Sequence, residues 1–198
     1  MTKRFHNIFS AILVVVLAIA VFLGLYLLPT TSVNADSVNA EEPPIISTGS
    51  YSYSLTLQAQ ADKDTIWMLW EDVENWKSYD TVLQYSYLLD DADFAVGAIG
   101  YVKARGAPKT KFELISVDQG NAFVESLKLP LWNTLELKRC VTQIDEKTVA
   151  FTHEVDFKGP LKGLMYFFLA KRFKKDLRLV MTNMQALAEG RPISEGIE

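Results

Sequence analysis

The sequence of 198 residues contains one cysteine, Cys140, and two histidines, His6 and His153. A single cysteine excludes an intramolecular disulfide and every zinc site built from paired cysteines. Two histidines cannot supply a zinc site made of several histidines. We therefore predict that the protein holds no metal and no cofactor.

Positive charge is also scarce after the first 35 residues. Residues 36–198 carry 18 lysines and arginines against 24 aspartates and glutamates. Nucleic-acid binding usually needs a strongly basic face, so no nucleic-acid partner is expected. The hydrophobic share of 49% and the aromatic share of 12% exclude a disordered chain. The residues after about position 45 are enough for one ordinary domain with a buried core.

An apolar run occupies residues 8–28, with Ser10 as its only polar residue and Lys3 and Arg4 before it. About 20 helical residues span the ~30 Å hydrocarbon layer of a bilayer. The run can therefore cross a membrane, with the cationic flank in the cytoplasm and the remainder on the far side.

Two interpretations of this segment remain open. As an uncleaved anchor it makes a single-pass membrane protein with an extracytoplasmic domain. As a signal peptide cut after Ala35 it releases a secreted or periplasmic protein. In both cases the predicted divisions are a targeting segment at 1–35, a linker at 36–50, a domain at 51–190 and a tail at 191–198.

The rest of the chain reads as strands followed by a long helix. Alternating apolar residues at 51–59 predict a half-buried strand, and Asp62 suits the N-cap of a short helix, before a second helix or turn at 74–80. Further strands are predicted at 82–89, 99–105, 111–117, 122–127, 134–144 and 149–157. A long amphipathic helix then follows Pro160 and ends before Gly190. This order predicts an α+β fold in which a curved antiparallel sheet wraps the helix and leaves a pocket.

Three stretches resemble one known superfamily. They are residues 61–67 (Ala-Asp-Lys-Asp-Thr-Ile-Trp) with Asp72, Trp76 and Tyr79-Asp80 after them, Val96-Gly97-Ala98, and Gly159-Pro160-Leu161 with Phe168, Leu177 and Met184 after them. Together they resemble the START/polyketide cyclase–dehydrase superfamily, also called SRPBCC, over residues 51–190. Asp62 stands where that family often has proline. The resemblance implies a helix-grip fold with an apolar cavity. It implies no single chemistry, since members include lipid carriers, cyclases, hydrolases and quinone-binding chaperones.

His153 is the most informative polar residue of the domain. It shares the parity of Val149, Phe151 and Val155 on its predicted strand, so it should point into the core or the cavity. There its imidazole can orient a ligand carbonyl or act as a general base. The alternative is a core histidine satisfied by a neighbouring hydroxyl or carbonyl.

Other candidate ligand contacts lie on strands and on the long helix. Tyr85 and Tyr87 share the parity of Leu83 and Leu89, which predicts that their hydroxyls point inward. Met residues and aromatic rings of the long helix suit an adaptable cavity wall, although the same residues also make an ordinary core. The full set of predicted ligand-binding residues is Tyr85, Tyr87, Tyr101, Phe151, His153, Met165, Phe168 and Met184.

The predicted function is the binding, or the binding and transport, of a hydrophobic small molecule or lipid in an extracytoplasmic cavity. The partners are then that molecule and the membrane. One alternative is a cyclase/dehydratase- or hydrolase-type enzyme with His153 as its base. Another is an interaction module for a second protein of the cell envelope. No catalytic constellation is evident in the sequence, so whether the protein is an enzyme stays open.

Overall fold

The computed structural model describes residues 44–194. The predicted targeting segment, most of the predicted linker and the last four residues lie outside this range. The described part holds eight strands, two α-helices and two short 3-10 helices. They are β1 (Ile46–Gly49), β2 (Ser52–Ala59), α1 (Lys63–Glu71), a 3-10 helix (Val73–Ser78), β3 (Leu83–Leu88), a 3-10 helix (Leu89–Asp91), β4 (Ile99–Ala104), β5 (Thr110–Asp118), β6 (Ala122–Leu129), β7 (Asn133–Gln143), β8 (Val149–Lys158) and α2 (Lys162–Ala188).

All eight strands form one antiparallel sheet in the order β1-β2-β8-β7-β6-β5-β4-β3. The segment with α1 and the longer 3-10 helix links β2 near one edge to β3 at the other. Irregular register within the β3–β4 and β5–β6 pairs bends the sheet. The long helix α2 packs against β2 and β8. The predicted helix-grip arrangement, a curved antiparallel sheet around a C-terminal helix, is confirmed.

The start of α1 follows the predicted capping. The carboxylate of Asp62 accepts a hydrogen bond from the backbone amide of Thr65 at 2.7 Å, which satisfies one of the free amides of the first turn. Ile66 and Trp70 are fully buried. The indole of Trp76 donates to the carbonyl of Trp70 at 2.8 Å, so the 3-10 helix is fastened to the end of α1.

The end of α2 also follows the sequence. Gly190 has φ +66°, a left-handed conformation in which a side chain is disfavoured. Its amide donates to the carbonyl of Leu187 at 3.0 Å, and the amide of Arg191 donates to that of Ala186 at 2.7 Å. These hydrogen bonds satisfy carbonyls of the last turn, so the helix ends at the position predicted from Gly190.

Strand β1 was not predicted, because residues 46–49 belong to the predicted linker. Ile46 pairs with Ser54 and Ser47 with Tyr53. All four residues of β1 are exposed, so the strand lacks the buried alternation by which a strand is recognised. It is held by backbone hydrogen bonds along the edge of β2.

The strand register defines two faces of the sheet. Partners in an antiparallel ladder point to the same side. Leu55, His153 and Arg139 are successive partners across β2, β8 and β7. Tyr53 shares their face and packs edge to face against Tyr166 of α2 at 6.3 Å. We call this side, which faces α2, the inner face. Among residues 44–194, no helix combines the length and apolarity that a bilayer crossing requires.

Candidate functional site

A buried ion pair lies on the inner face. Nη2 of Arg139 on β7 lies 2.9 Å from Oε1 of Glu125 on β6, and both side chains are almost completely buried. Burial raises the pKa of the Glu125 carboxyl, while the charge of Arg139 opposes that rise. Such a pair contributes little net stability, because desolvation of both charges offsets their attraction.

Two aromatic rings hold the guanidinium of Arg139 in place. Its central carbon lies 4.9 Å from the ring centroid of Trp76 and 5.1 Å from that of Phe123. A guanidinium over an aromatic face gains cation–π attraction, and the gain increases where water is excluded. The 3-10 helix that carries Trp76 therefore fixes the orientation of a charged group on the sheet.

His153 on β8 lies directly opposite Arg139 on β7 in the register of the two paired strands. Only 6% of its surface is exposed. Burial, and then the positive charge of Arg139, holds the pKa of His153 well below its usual value near 6.5. The imidazole is therefore neutral at physiological pH, with one nitrogen able to donate and the other able to accept a hydrogen bond.

Several buried polar atoms at this place have no hydrogen-bond partner among the described residues. They are both ring nitrogens of His153, Nη1 of Arg139, Oε2 of Glu125 and the hydroxyl of Tyr79. We call these four residues the polar cluster. Buried polar groups in proteins are nearly always paired, so such a concentration is typical of a site that receives a polar group from outside the chain.

A carboxyl close to the polar cluster makes its surroundings electrically negative when it ionises. Burial, with the nearby charge of Asp176, raises the pKa of Asp80 to about 7. Asp176 on α2 is itself paired with Arg172, whose Nε lies 3.7 Å from its Oδ2. A neutral ion pair beside the Asp80 carboxyl favours uncharged or cationic ligand groups over anions. Among residues 44–194, no group of three or more His, Cys, Asp or Glu residues is placed to hold a metal ion.

Tyr53 forms a second polar position on the inner face, at the opposite end of β2 from α1. Its ring is fully buried, and its hydroxyl has no partner among the described residues. Burial, followed by the neighbouring Tyr166 and Asp176, raises the pKa of Tyr53. The Nζ atom of Lys174 lies 4.9 Å from its ring centroid. The inner face is thus mainly apolar, and it carries unpaired polar atoms at the polar cluster and at the Tyr53 hydroxyl.

The predicted ligand residues of β8 and α2 fall on the buried side of the domain. Phe151 and His153 follow one another on the inner face, while Met165 and Met184 are buried on α2 and Phe168 is half-buried. The Met184 sulfur accepts a hydrogen bond from the Trp70 indole at 3.3 Å, so this side chain also joins α2 to α1. Contact with a ligand stays a prediction for these five residues.

The predicted inward orientation of Tyr85 and Tyr87 is wrong. Tyr87 pairs with Tyr101, whereas Ser86 faces inward and donates to the carbonyl of Val73 at 2.6 Å. The irregular register after Leu83 changes the parity on which the prediction rested. All three tyrosines lie on the outer face, so their assignment to an interior cavity does not hold.

Lys109 completes this outer group of tyrosines. Its Nζ donates to the Tyr87 hydroxyl at 2.5 Å and lies 3.9 Å from the ring centroid of Tyr101. Tyr85 packs against Tyr87 with ring centroids 6.1 Å apart. The outer tyrosines are thus a partly exposed cluster with a cation over it.

The polar cluster itself was missed apart from His153. Glu125 lies between the apolar Phe123 and Leu127, and Arg139 between Leu137 and Val141. In each of these consecutive predicted strands, the charged residue occupies a position that alternation assigns to the core-facing side. Two opposite charges in such positions are the signal that would have indicated a buried ion pair. Tyr79 carried no such signal, because a 3-10 helix and a loop bring it to the sheet.

No protein-family model and no curated protein matches the sequence. Solved structures do match the fold. A hypothetical protein from Helicobacter pylori has a TM-score of 0.57 and 10% identity, over 81% of this chain and 100% of its own. A START superfamily protein from Mycobacterium smegmatis has a TM-score of 0.55 and 13% identity, over 69% and 97%.

A third match is the di-domain ARO/CYC protein StfQ from the steffimycin biosynthetic pathway. It has a TM-score of 0.55 and 11% identity, and the match covers 70% of this chain and half of that one. Identities this low carry information about the fold alone. The chain therefore has the START-like, helix-grip fold that START superfamily and polyketide cyclase proteins share.

Proposed function

We propose that the domain binds an apolar small molecule that carries an uncharged oxygen function, such as a carbonyl or hydroxyl group. The observation that supports this most is the polar cluster, in which five buried polar atoms have no partner within the described chain. Apolar surface of the ligand supplies binding free energy at ~25 cal/mol per Å². Hydrogen bonds to the cluster would fix its orientation.

Charge supports the choice of an uncharged group. Glu125 neutralises Arg139 at 2.9 Å, so no unbalanced positive charge is available to an anion. The guanidinium still has Nη1 free to donate, and the Tyr79 hydroxyl lies close enough to interact with it electrostatically. Two donors on one oxygen atom are a common way to hold a carbonyl group.

The test uses the full chain and the neutral, carbonyl-bearing dye Nile red. We expect saturable binding with a blue-shifted emission, and weaker binding of the anionic dye anilinonaphthalene sulfonate. Tyr79→Phe removes one hydroxyl without changing the ring, and it should weaken Nile red binding roughly 2- to 10-fold, the value of one hydrogen bond.

Two control variants separate the interior from the surface. Tyr87→Phe removes a hydroxyl on the outer face, and Phe167→Ser removes an exposed ring on α2. Neither should change Nile red affinity. Equal affinity of the wild type and Tyr79→Phe, or a loss in Phe167→Ser, would contradict binding at the polar cluster.

A catalytic function of the cyclase or hydrolase type has one observation in its favour. His153 is a neutral imidazole with both nitrogens unbonded to the described chain, beside a guanidinium that can polarise a carbonyl. These are the requirements of a general base and an electrophile. With p-nitrophenyl octanoate as the probe, turnover that His153→Ala abolishes while Nile red still binds would support the enzyme. Turnover that survives His153→Ala would exclude this mechanism.

We also propose that residues 8–28 attach the domain to a membrane, with the domain on the extracytoplasmic side. The proposal rests on the sequence alone: an apolar run of bilayer length after Lys3 and Arg4. Resistance of the full chain to alkaline extraction from membranes, with protease sensitivity of its C-terminus on intact spheroplasts, is the expected result. Recovery in the soluble cytoplasmic fraction would overturn it.

A further inference from the structure

An exposed tryptophan marks one end of the domain. Trp132 lies in the turn between β6 and β7 and has 90% of its surface exposed, whereas Trp67, Trp70 and Trp76 are buried. Both Leu131 and Trp132 have positive φ angles, near +58° and +59°. Such a conformation is costly for a residue with a side chain, and it persists only where its surroundings hold it.

The side chain of Asn133 holds this turn against the start of α2. Its amide nitrogen donates to the carbonyls of Pro130 at 2.8 Å and Leu131 at 3.0 Å. Its amide oxygen accepts a hydrogen bond from the backbone amide of Leu161 at 2.9 Å. At Gly159, a Cβ would lie 2.8 Å from the Trp132 carbonyl oxygen. The tryptophan turn and the first turn of α2 are thus locked together.

Further exposed apolar side chains extend from this point along α2. Phe167 is 78% exposed, and Leu161 and Leu164 are also open to solvent. Tyr51 lies beside the same turn, since a Cβ at Gly163 would lie 3.2 Å from its ring. We call this group the apolar tip. It consists of Tyr51, Trp132, Leu161, Leu164 and Phe167.

Positive charge accompanies the apolar tip. Residues 157–175 contain six lysines and arginines and no aspartate or glutamate, in a chain of net charge −4. Lys158 is engaged with Asp156 at 2.6 Å, but Lys162 and Lys171 are exposed on α2. Aromatic and aliphatic groups with lysines among them match the interface of an anionic bilayer, where rings lie at headgroup level and lysines meet lipid phosphates.

We propose that the apolar tip docks onto the surface of an anionic lipid bilayer. Trp132 and Phe167 enter the interfacial region, and Lys162 and Lys171 contact the headgroups. Docking at this end brings the start of α2 next to the lipid.

The remainder of the chain favours a bilayer over a protein as the occupant. The apolar run at 8–28 has the length and composition of a bilayer segment, and it precedes β1 by the 17 residues 29–45. An extended chain of that length reaches about 60 Å at most. The domain can therefore turn its tip to the same membrane that would hold the run.

The test uses the burial of three tryptophans, which leaves Trp132 as the accessible reporter. The full chain is incorporated into vesicles of phosphatidylcholine and phosphatidylserine that contain bromine-labelled phosphatidylcholine, a quencher of tryptophan inside the bilayer. We expect loss of most of the Trp132 emission. The loss should be absent in Trp132→Phe and reduced when Phe167 is changed to Ser or when vesicles lack phosphatidylserine.

A moved reporter provides the matched control. Ile144 is exposed at the other end of β7, about 35 Å from Trp132 at the usual rise per strand residue. In the double variant W132F/I144W the bromine-labelled lipid should leave the new reporter unquenched. Quenching of both reporters would overturn an oriented docking. Quenching of neither would overturn docking altogether and leave a protein or the chain's own apolar run as the occupant.

Discussion

Similar side chains are in opposite states on the two sides of the sheet. On the outer face, Tyr87 is paired with Lys109 and is close to water. On the inner side, the hydroxyl of Tyr79, which follows the 3-10 helix, is buried without a partner among the described residues. The same chemical group is satisfied in one place and unsatisfied in the other. Burial without pairing, rather than residue type, therefore distinguishes the candidate site from ordinary surface.

The largest expected difference between the faces concerns the cations. Arg139→Met leaves the carboxylate of Glu125 buried without its partner, so the free energy of unfolding should fall by about 3–5 kcal/mol. Lys109→Met on the outer face should change it little, because water replaces the lost contacts. Urea denaturation of the full chain measures both.

The double variant E125Q/R139M is the control for this result, since it removes both buried charges. It should recover most of the lost stability. A double variant as unstable as Arg139→Met alone would show that packing of the arginine over Trp76 and Phe123 matters more than its charge.

A pH comparison should reveal the cost of the charge on Asp80. Burial raises the pKa of Asp80 in the folded protein to about 7, from an ordinary value near 3.8. The folded state therefore binds more protons between these values, and stability is lost as pH rises from 4 towards 8. Asp80→Asn should be roughly 4 kcal/mol more stable than the wild type at pH 8 and nearly equal to it at pH 4. Equal stability at both pH values would show that Asp80 ionises freely.

His153 should have the opposite pH dependence. Its folded-state pKa is lowered, so the unfolded chain binds a proton below about pH 6.5 that the folded protein does not. Stability from this source is present at pH 7 and is lost as pH falls. Relative to His153→Leu, the wild type should lose roughly 1 kcal/mol between pH 7 and 5.5. Parallel stability curves for the two proteins would mean that the imidazole protonates without penalty.

The smallest effect is expected at the hydroxyl of Tyr87. Tyr87→Phe removes a contact at the rim of the outer face, and it should change the free energy of unfolding by less than about 0.5 kcal/mol. Thermal melts of this variant and the wild type should superimpose. A clear loss of stability would show that the outer tyrosines have a structural role and would weaken the contrast between the faces.

Predictions that rest on local sequence patterns were confirmed in this chain. The N-cap at Asp62, the strands from β4 to β8 and the end of α2 before Gly190 all follow from periodicity and capping. Such signals need only neighbouring residues. Strand β1 escaped because an exposed edge strand buries nothing and therefore shows no alternation. The orientation predicted for the tyrosines of β3 was wrong, because one irregularity in the strand register reverses which residues face inward after it.

By itself the sequence determined the α+β order of antiparallel strands and a long amphipathic helix, and the inward orientation of His153, since both follow from which residues must leave water. Only the tertiary structure decided what surrounds that histidine. Glu125, Arg139 and Tyr79 come from two further strands and a loop after a 3-10 helix, and they meet only when β6 pairs with β7 and the 3-10 helix packs on the sheet. The sequence did not predict the apolar tip either. Trp132 and Phe167 are 35 residues apart, and only folding leaves both side chains exposed at one end of the domain. Periodicity records burial along one segment, whereas a site depends on contacts between segments.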